Sequence, residues 1–343
     1  MNVKFGSDNH SSIHPLILES IINANLDDEV SYSYDKYTKE AIDLIKHTFG
    51  SNIEVFFVFN GTASNILAIS SFLESYQLVL CSDCSHLYND ECAAGEIFIG
   101  CKFLPIPNID GKLTVENIKP LLKRSGDVHF GECKVISITQ PTELGTVYKI
   151  NEINAIAEFA HKNNMILHMD GTRLANAAVT LNADLKKITK DAGVDVLSLG
   201  GTKNGFMFGE AIIFFNTSYH KKIKFLVKQG MQLYSKNRFI AAQFIAYLKN
   251  NLWKEIAIHS NGMAKLLEEE LKLIIKPIYK VESNAFFVNF PHNSFKRLKS
   301  KYYLSLADEN LKIFRLMTSF NTSENDIKEL VNEIKRNRSK TVK

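Results

Sequence analysis

The chain contains no apolar run near the roughly 18 residues that a membrane-spanning helix requires, so no transmembrane segment and no membrane partner are expected. Its first residues, Met-Asn-Val-Lys-Phe-Gly-Ser-Asp, lack the apolar stretch of a signal peptide. Cysteine is scarce and odd in number, five in 343 residues, which argues against a disulfide framework and for a reducing cytoplasm. Charge imbalance is small, +4, and does not point to nucleic acid. The one dense basic stretch, Lys335 to Lys343, reads as a frayed end. Nucleotide loops are missing as well. No Gly-Lys-Ser/Thr follows Gly61, and one glycine stands where a dinucleotide fingerprint needs several. Cys81 and Cys84 form a lone C-x-x-C without a second pair or a histidine pair at finger spacing, so no metal site is expected. The cysteines read as core or pocket lining.

What is present is a rhythm. Apolar runs at Ile53–Phe59, Gln77–Cys81, Lys102–Ile106, Lys134–Thr139, Met165–Met169, Val194–Leu199 and Ala211–Phe215 read as strands. Helical patterns alternate with them: from Pro15, up to Phe49 with Gly50 as stop, from Asn60 to about Ser75, and Asn151 to Asn163. Such alternation predicts an α/β fold with a mostly parallel sheet covered on both faces. Residues 3–12 read as a polar arm and 26–35 as an acidic, tyrosine-rich loop, neither with a core of its own. After Tyr219 the character changes. Two long helical patterns run to about Ile275, broken near Asn250-Asn251. Strands at Ala285–Phe290 and Leu311–Met317 follow, then a helix from about Glu324 to Lys335, capped by Asn321 or Ser323. The expected division is a large domain, 1–250, and a smaller C-terminal α+β domain, 251–343.

Four stretches carry chemistry. In Val-Leu-Ser-Leu-Gly-Gly-Thr-Lys-Asn-Gly (196–205), Lys203 stands among small residues just past a strand. An amine there suits an imine with pyridoxal 5′-phosphate (PLP), and the plainer alternative is a surface lysine in a turn. In Phe-Asn-Gly-Thr-Ala-Ser-Asn (59–65), Gly61 and Thr62 open a helix whose free N–H groups can cradle a phosphate, or the stretch is an ordinary capped helix. In Leu-His-Met-Asp-Gly-Thr-Arg-Leu-Ala-Asn-Ala (167–177), Asp170 ends a strand with Arg173 on the next turn. A carboxylate there can hold a pyridine nitrogen protonated, or serve as an N-cap beside a structural arginine. Asp170 and Lys203 are expected on successive strand ends at one edge of the sheet. Arg315 is a charge inside the apolar stretch Ile-Phe-Arg-Leu-Met (313–317), suited to a bidentate carboxylate or to an internal ion pair. His86 follows a strand end, where an imidazole can lie on a cofactor ring or be structural.

Together these stretches resemble the bacterial, low-specificity branch of the PLP-dependent L-threonine aldolases, of fold-type I. The resemblance runs nearly end to end, through Phe-Gly-Ser-Asp-Asn (5–9), Asn-Gly-Thr-Ala-Ser-Asn (60–65), Ser-His-Leu-Tyr-Asn-Asp-Glu-Cys (85–92), Thr-Gln-Pro-Thr-Glu-Leu-Gly-Thr-Val-Tyr (139–148), the Asp170 stretch, Gly-Gly-Thr-Lys-Asn-Gly (200–205) and Arg-Leu-Met-Thr-Ser-Phe (315–320). It implies that Lys203 forms the Schiff base, Asp170 pairs with the pyridine nitrogen, Gly61 and Thr62 hold the phosphate, and His86 stacks on the ring. Ser7, Arg173 and Arg315 would take the substrate carboxylate, with Arg173 also near the cofactor and Tyr32 on the substrate side.

The implied reaction is retro-aldol cleavage of a β-hydroxy-α-amino acid to glycine and an aldehyde, with His86 or a water as base. The implied assembly is a homo-oligomer, dimer or tetramer, with shared active sites. Two segments depart from the family: Tyr32-Ser33-Tyr34-Asp35, where Tyr-Gly is expected, and Val227 to Arg238, where the family has a more basic segment reaching a neighbouring subunit's phosphate, a place Lys228 can take. The rival readings are another PLP-dependent lyase, by β-elimination or serine hydroxymethyl transfer, and a catalytically idle PLP-binding protein.

Overall fold

The apolar runs pair as strands. In the computed structural model, which describes residues 1–124, 126–217, 221–290 and 298–339, they are β1 (Glu54–Val58), β2 (Gln77–Ser82), β3 (Lys102–Ile106), β4 (Glu132–Thr139), β5 (Ile166–Gly171), β6 (Val196–Gly200) and β7 (Glu210–Phe214). Tyr219, where the sequence changes character, and the last four residues of the basic tail lie outside the described residues.

The seven strands form one sheet in the order β1-β7-β6-β5-β4-β2-β3. From β3 through β2, β4 and β5 to β6 all neighbours are parallel. β7 runs antiparallel to both β6 and β1. The reason is length: residues 201–209 between β6 and β7 fall short of the dozen or so residues that a parallel crossover needs. One face of the sheet packs on helices bearing Ile45, Phe49, Ile156, Ala177 and Phe244. The other packs on Leu67, Ile69, Ile223 and Val227. Burial on both faces explains why the strands read as continuous apolar runs rather than as alternating ones.

The C-terminal unit is a three-stranded antiparallel sheet, β8 (Ala285–Asn289), β10 (Ile313–Met317) and β9 (Ser305–Asp308), in the order β8-β10-β9. Helices Leu252–Leu271 and Glu324–Ser339 cover it. β9 is not expected from the sequence, because Ser-Leu-Ala-Asp is short and half exposed and carries no apolar run. Ser323, not Asn321, caps the last helix: its Oγ accepts the Asp326 N–H at 3.2 Å, and Asp326 Oδ2 accepts the Ser323 N–H at 2.9 Å. The two helical patterns after Tyr219 are three helices, Ile223–Gln229, Arg238–Leu248 and Leu252–Leu271, and the helix from Gly61 ends at Ser70.

The polar arm is anchored in the core of the C-terminal unit. Phe5 is fully buried in the C-terminal cluster, its carbonyl accepts the Met317 N–H at 2.9 Å, and Asn2 bridges to Tyr302. Two short helices, His86–Asn89 and Ala94–Ile99, lie below the length at which periodicity is readable. Among the described residues no helix is long and apolar enough to cross a membrane. All five cysteines are free, and Cys81 is a core residue whose thiol burial pushes up to about 12.

Candidate active site

The site is built at the C-terminal ends of β5 and β6, which lie side by side with Asp170 opposite Ser198. After β6 the chain makes a tight turn, Thr202–Asn204, that presents Lys203. The two glycines before it are steric necessities. A Cβ on Gly200 would lie 2.2 Å from the Thr172 carbonyl oxygen, and one on Gly201 would lie 2.4 Å from that of Gly209. Gly200 lets the Lys203 turn touch the turn after Asp170, and Gly201 lets it close on Gly209. Asn204 stitches the two turns together, donating to the Thr172 and Gly200 carbonyls at 3.0 Å each. Glu210, the first residue of β7, accepts the Gly201 N–H at 2.7 Å. The Lys203 amine is held below the ordinary lysine range, first because burial disfavours its cation and then because Arg173 repels it. Burial pushes the Glu210 carboxyl up to about 7.

Asp170 is buried and stays ionised. Burial alone would raise its pKa, but hydrogen bonds to the carboxylate hold it below the usual range. Oδ1 accepts the Thr172 N–H at 2.9 Å and its hydroxyl at 2.6 Å, and Oδ2 accepts Asn65 Nδ2 at 2.9 Å. The same Asn65 nitrogen donates to Glu91 Oε1 at 2.9 Å, and that oxygen also lies 3.0 Å from His86 Nδ1. The Glu91 hydrogen bond lifts the His86 pKa against its partial burial, with Asp170 adding to the rise. The His86 backbone N–H donates to Glu143 Oε1 at 2.8 Å, and Thr139 donates to the same oxygen at 2.7 Å. His168, in the same stretch as Asp170, is a different case. It is fully buried between Ser137 and Ser198, and burial lowers it to about 4, so it is a neutral part of the sheet.

Arg173, just past β5, gives Nε to Asp8 Oδ2 at 2.5 Å and Nη2 to Asp8 Oδ1 at 2.9 Å. Ser7, next to Asp8, caps the short turn Asp8–His10, its Oγ accepting the Asn9 N–H at 3.2 Å. Arg315 projects from β10 with its Nε buried and without a partner, and no carboxylate pairs with it among the described residues. The internal ion pair weighed for it from the sequence is therefore not there. Burial and the Arg173 charge hold the Arg315 pKa below the arginine norm.

The helix Gly61–Ser70 starts with Asn60 as its cap, Oδ1 accepting the Ala63 N–H at 2.9 Å. Among the described residues the Gly61 and Thr62 N–H groups have no acceptor, and a Cβ built on Gly61 meets nothing within 4 Å. That opening, the unpaired Arg315 and the half-buried Lys203, on which the charge of the ionised Asp170 acts, fit an anionic pyridine aldehyde such as PLP. Tyr32 and Lys228 lie together, with the lysine Nζ 5.8 Å from the ring centre, in a cavity of about 400 Å³ that Phe59 and Gln232 also line. Phe59 connects that cavity to the Asn60-Gly61 turn; among the described residues no hydrogen bond or ion pair joins Tyr32 or Lys228 to Lys203. No cluster of His, Cys, Asp or Glu able to hold a metal ion is found among the described residues.

Lys203, Asp170, Arg173 and His86 thus come together, and Arg315 acts on the group through Arg173 and Asp8. The residues that sequence reasoning passed over are Asp8, Asn65, Glu91, Glu143 and Glu210. Four of them lie inside the stretches that carry the resemblance, which was the available signal. Glu210 had none, since it is a lone carboxylate at the start of an apolar strand.

Known proteins resemble this chain along its length. A family model for beta-eliminating lyases matches residues 4–291. Low-specificity L-threonine aldolases from a Pseudomonas species and from Pseudomonas aeruginosa are 37% and 36% identical to this chain, each over 97% of both proteins. The solved structure of a threonine aldolase from Leishmania major superposes with a TM-score of 0.93 at 29% identity, covering 97% of this chain and 99% of that one.

Proposed function

We propose, for a chain that belongs to the beta-eliminating lyase family and within it to the low-specificity L-threonine aldolases, that it cleaves L-threonine, L-allo-threonine or related β-hydroxy-α-amino acids to glycine and an aldehyde. The family depends on PLP, and the chain is a PLP-dependent lyase of this kind. When bound, PLP supplies the electron sink for the pair released from the Cα–Cβ bond.

The chain's residues do the rest. Lys203 offers an amine whose pKa burial and the Arg173 charge lower, which favours its nucleophilic form, and it would hold the cofactor's aldehyde carbon. Asp170 would keep the ring nitrogen protonated. Gly61 and Thr62 would hold the phosphate on free helix amides. His86 would stack on the ring. Ser7, Arg173 and Arg315 take the α-carboxylate, which sets the Cα–Cβ bond for cleavage. His86, or a water it orders, accepts the β-hydroxyl proton; the C–O bond becomes the aldehyde carbonyl, Cα–Cβ breaks, and Cα regains a proton as glycine.

The observation that carries this reading is Arg315: a half-buried guanidinium whose buried Nε has no partner among the described residues, with Arg173 and Asp8 acting on its charge. The test is glycine release from L-threonine and L-allo-threonine by the holoenzyme. Cofactor binding without glycine release from either would overturn the reading.

Tyr32 is assigned to the substrate side, and Lys228 to a neighbouring subunit's phosphate. Their shared cavity next to Phe59 supports the pair of assignments. Exposed Leu16, Leu18 and Ile22 on the helix Pro15–Asn23 support a homo-oligomer of at least two chains, readable by analytical ultracentrifugation. Five free thiols suit a reducing cytoplasm. The domain division at 250/251 is supported by consecutive left-handed Asn250 and Asn251.

A further inference from the structure

We propose that Asp8 is a positioning residue for the substrate carboxylate. It clamps the Nε–Nη2 edge of Arg173, leaves the Nη1–Nη2 edge for the substrate, and ties this guanidinium to the strands that carry Arg315. The inference rests on the proposed aldolase reading.

A guanidinium is a planar fork with two usable edges, and Nη2 has one hydrogen on each. Asp8 occupies one edge in bidentate fashion, at 2.5 and 2.9 Å. Among the described residues no acceptor is bonded to Nη1. An arginine held this way loses its swing but keeps a second bidentate edge.

The clamp spans the molecule. Asp8 Oδ2 also accepts Asn284 Nδ2 at 3.3 Å, and Asn284 donates to the Thr318 carbonyl at 2.7 Å. Asn284 immediately precedes β8 and Thr318 immediately follows β10, and β8 pairs with β10 so that Phe287 faces Arg315. One carboxylate therefore links Arg173 of the large sheet to the strand pair of Arg315. Asp8 is itself fixed: Ser11 Oγ donates to its carbonyl at 2.6 Å, and Phe5 is buried three residues away.

Charge points the same way. Arg173 repels both Lys203 and Arg315, and Asp8 is the anion that acts on all three cations. Although burial would raise it, the Asp8 carboxyl is lowered to about 2 by Arg173 and the other two cations, so it is ionised throughout the working range.

The opposite idea is that Asp8 is a stand-in for the substrate carboxylate and must leave before substrate binds. The two ideas predict opposite signs. The experiment measures equilibrium binding of glycine and of glycinamide to the holoenzyme by cofactor absorbance, in the wild type, Asp8→Asn and Asp8→Glu. The wild type should prefer glycine by about tenfold or more. If it does not, the arginine pocket itself is wrong, whatever Asp8 does. In Asp8→Asn, glycine should bind about tenfold more weakly with glycinamide within about twofold, and the KM for L-threonine should rise more than kcat falls. Asp8→Glu keeps the charge and so protects the fold, but moves the fork, and it should show the same selective loss in smaller measure. Equal weakening of both ligands, an unchanged glycine affinity in either variant, or tighter glycine binding in Asp8→Asn would each overturn the proposal.

Discussion

Asn65 and Asp170 are joined at 2.9 Å by one hydrogen of an amide whose other hydrogen goes to Glu91. Asn65 lies on the helix that begins with Gly61, so one side chain ties the end proposed for the phosphate to the end proposed for the ring nitrogen.

Asn65→Leu removes that donor at nearly constant volume. The Asp170 pKa is low because hydrogen bonds outweigh burial, so losing one raises it. Activity that needs ionised Asp170 should then fail at a higher pH on the acid side than in the wild type. A hydrogen bond to a charged group is worth about 1.5–3 kcal/mol, so cofactor affinity should fall about tenfold or more. Equilibrium dialysis of PLP across pH reads both effects, and an unshifted profile would refute the link.

His86 and Glu91 give a second pH prediction. Glu91 holds the His86 pKa up, so more of the imidazole stays protonated as pH rises. A base must be neutral, so the acid limb of kcat should follow His86. Glu91→Gln keeps an acceptor oxygen but removes the charge, and the limb should move to lower pH. Movement to higher pH, or none, would separate the limb from His86.

The sheet was legible because both its faces are buried: β1 to β7 all stood out as apolar runs. Lys203 and Asp170 were legible because parallel strands end at one edge. β9 was not, since Ser-Leu-Ala-Asp buries too little to leave a pattern. Asp8 was hidden for another reason. It lies in a polar arm whose partner, Arg173, is 165 residues away, and no local periodicity encodes a contact at that separation. The arm is held by Phe5, buried in the C-terminal unit far from it in sequence.

Two glycines should respond in opposite ways. Gly200→Ala puts a Cβ against the Thr172 carbonyl, and backbone cannot yield as a side chain can, so a loss of about 1–3 kcal/mol is expected. Gly61→Ala has open space and gains helix propensity, so the cofactor-free protein should be stabilised by about 0.5–1 kcal/mol. The added methyl stands where the phosphate is to lie, so PLP affinity should drop. Urea melts without PLP, together with PLP titrations, test both halves. A Gly61→Ala protein that binds PLP normally would move the phosphate elsewhere.

Arg315 yields the sharpest contrast between stability and function. Its side chain is half-buried, its buried Nε has no acceptor among the described residues, and Arg173 repels it. A charge in that position costs stability, and the fold alone gives no reason to keep it. Arg315→Met fills a similar volume without the charge and suits the apolar strand Ile313–Met317. The variant should be at least as stable as the wild type, by about 1 kcal/mol or more, with Tm raised by a few degrees. It should retain PLP, because the cofactor contacts proposed above lie on Lys203, Asp170 and the Gly61 helix. Glycine affinity should fall about tenfold or more, and Arg315→Lys should recover only part of it, since an ammonium lacks the bidentate fork. Thermal melts and glycine titrations of the three proteins decide the matter. A Met variant that melts well below the wild type would mean Arg315 serves the fold, and one that binds glycine normally would remove it from the substrate site.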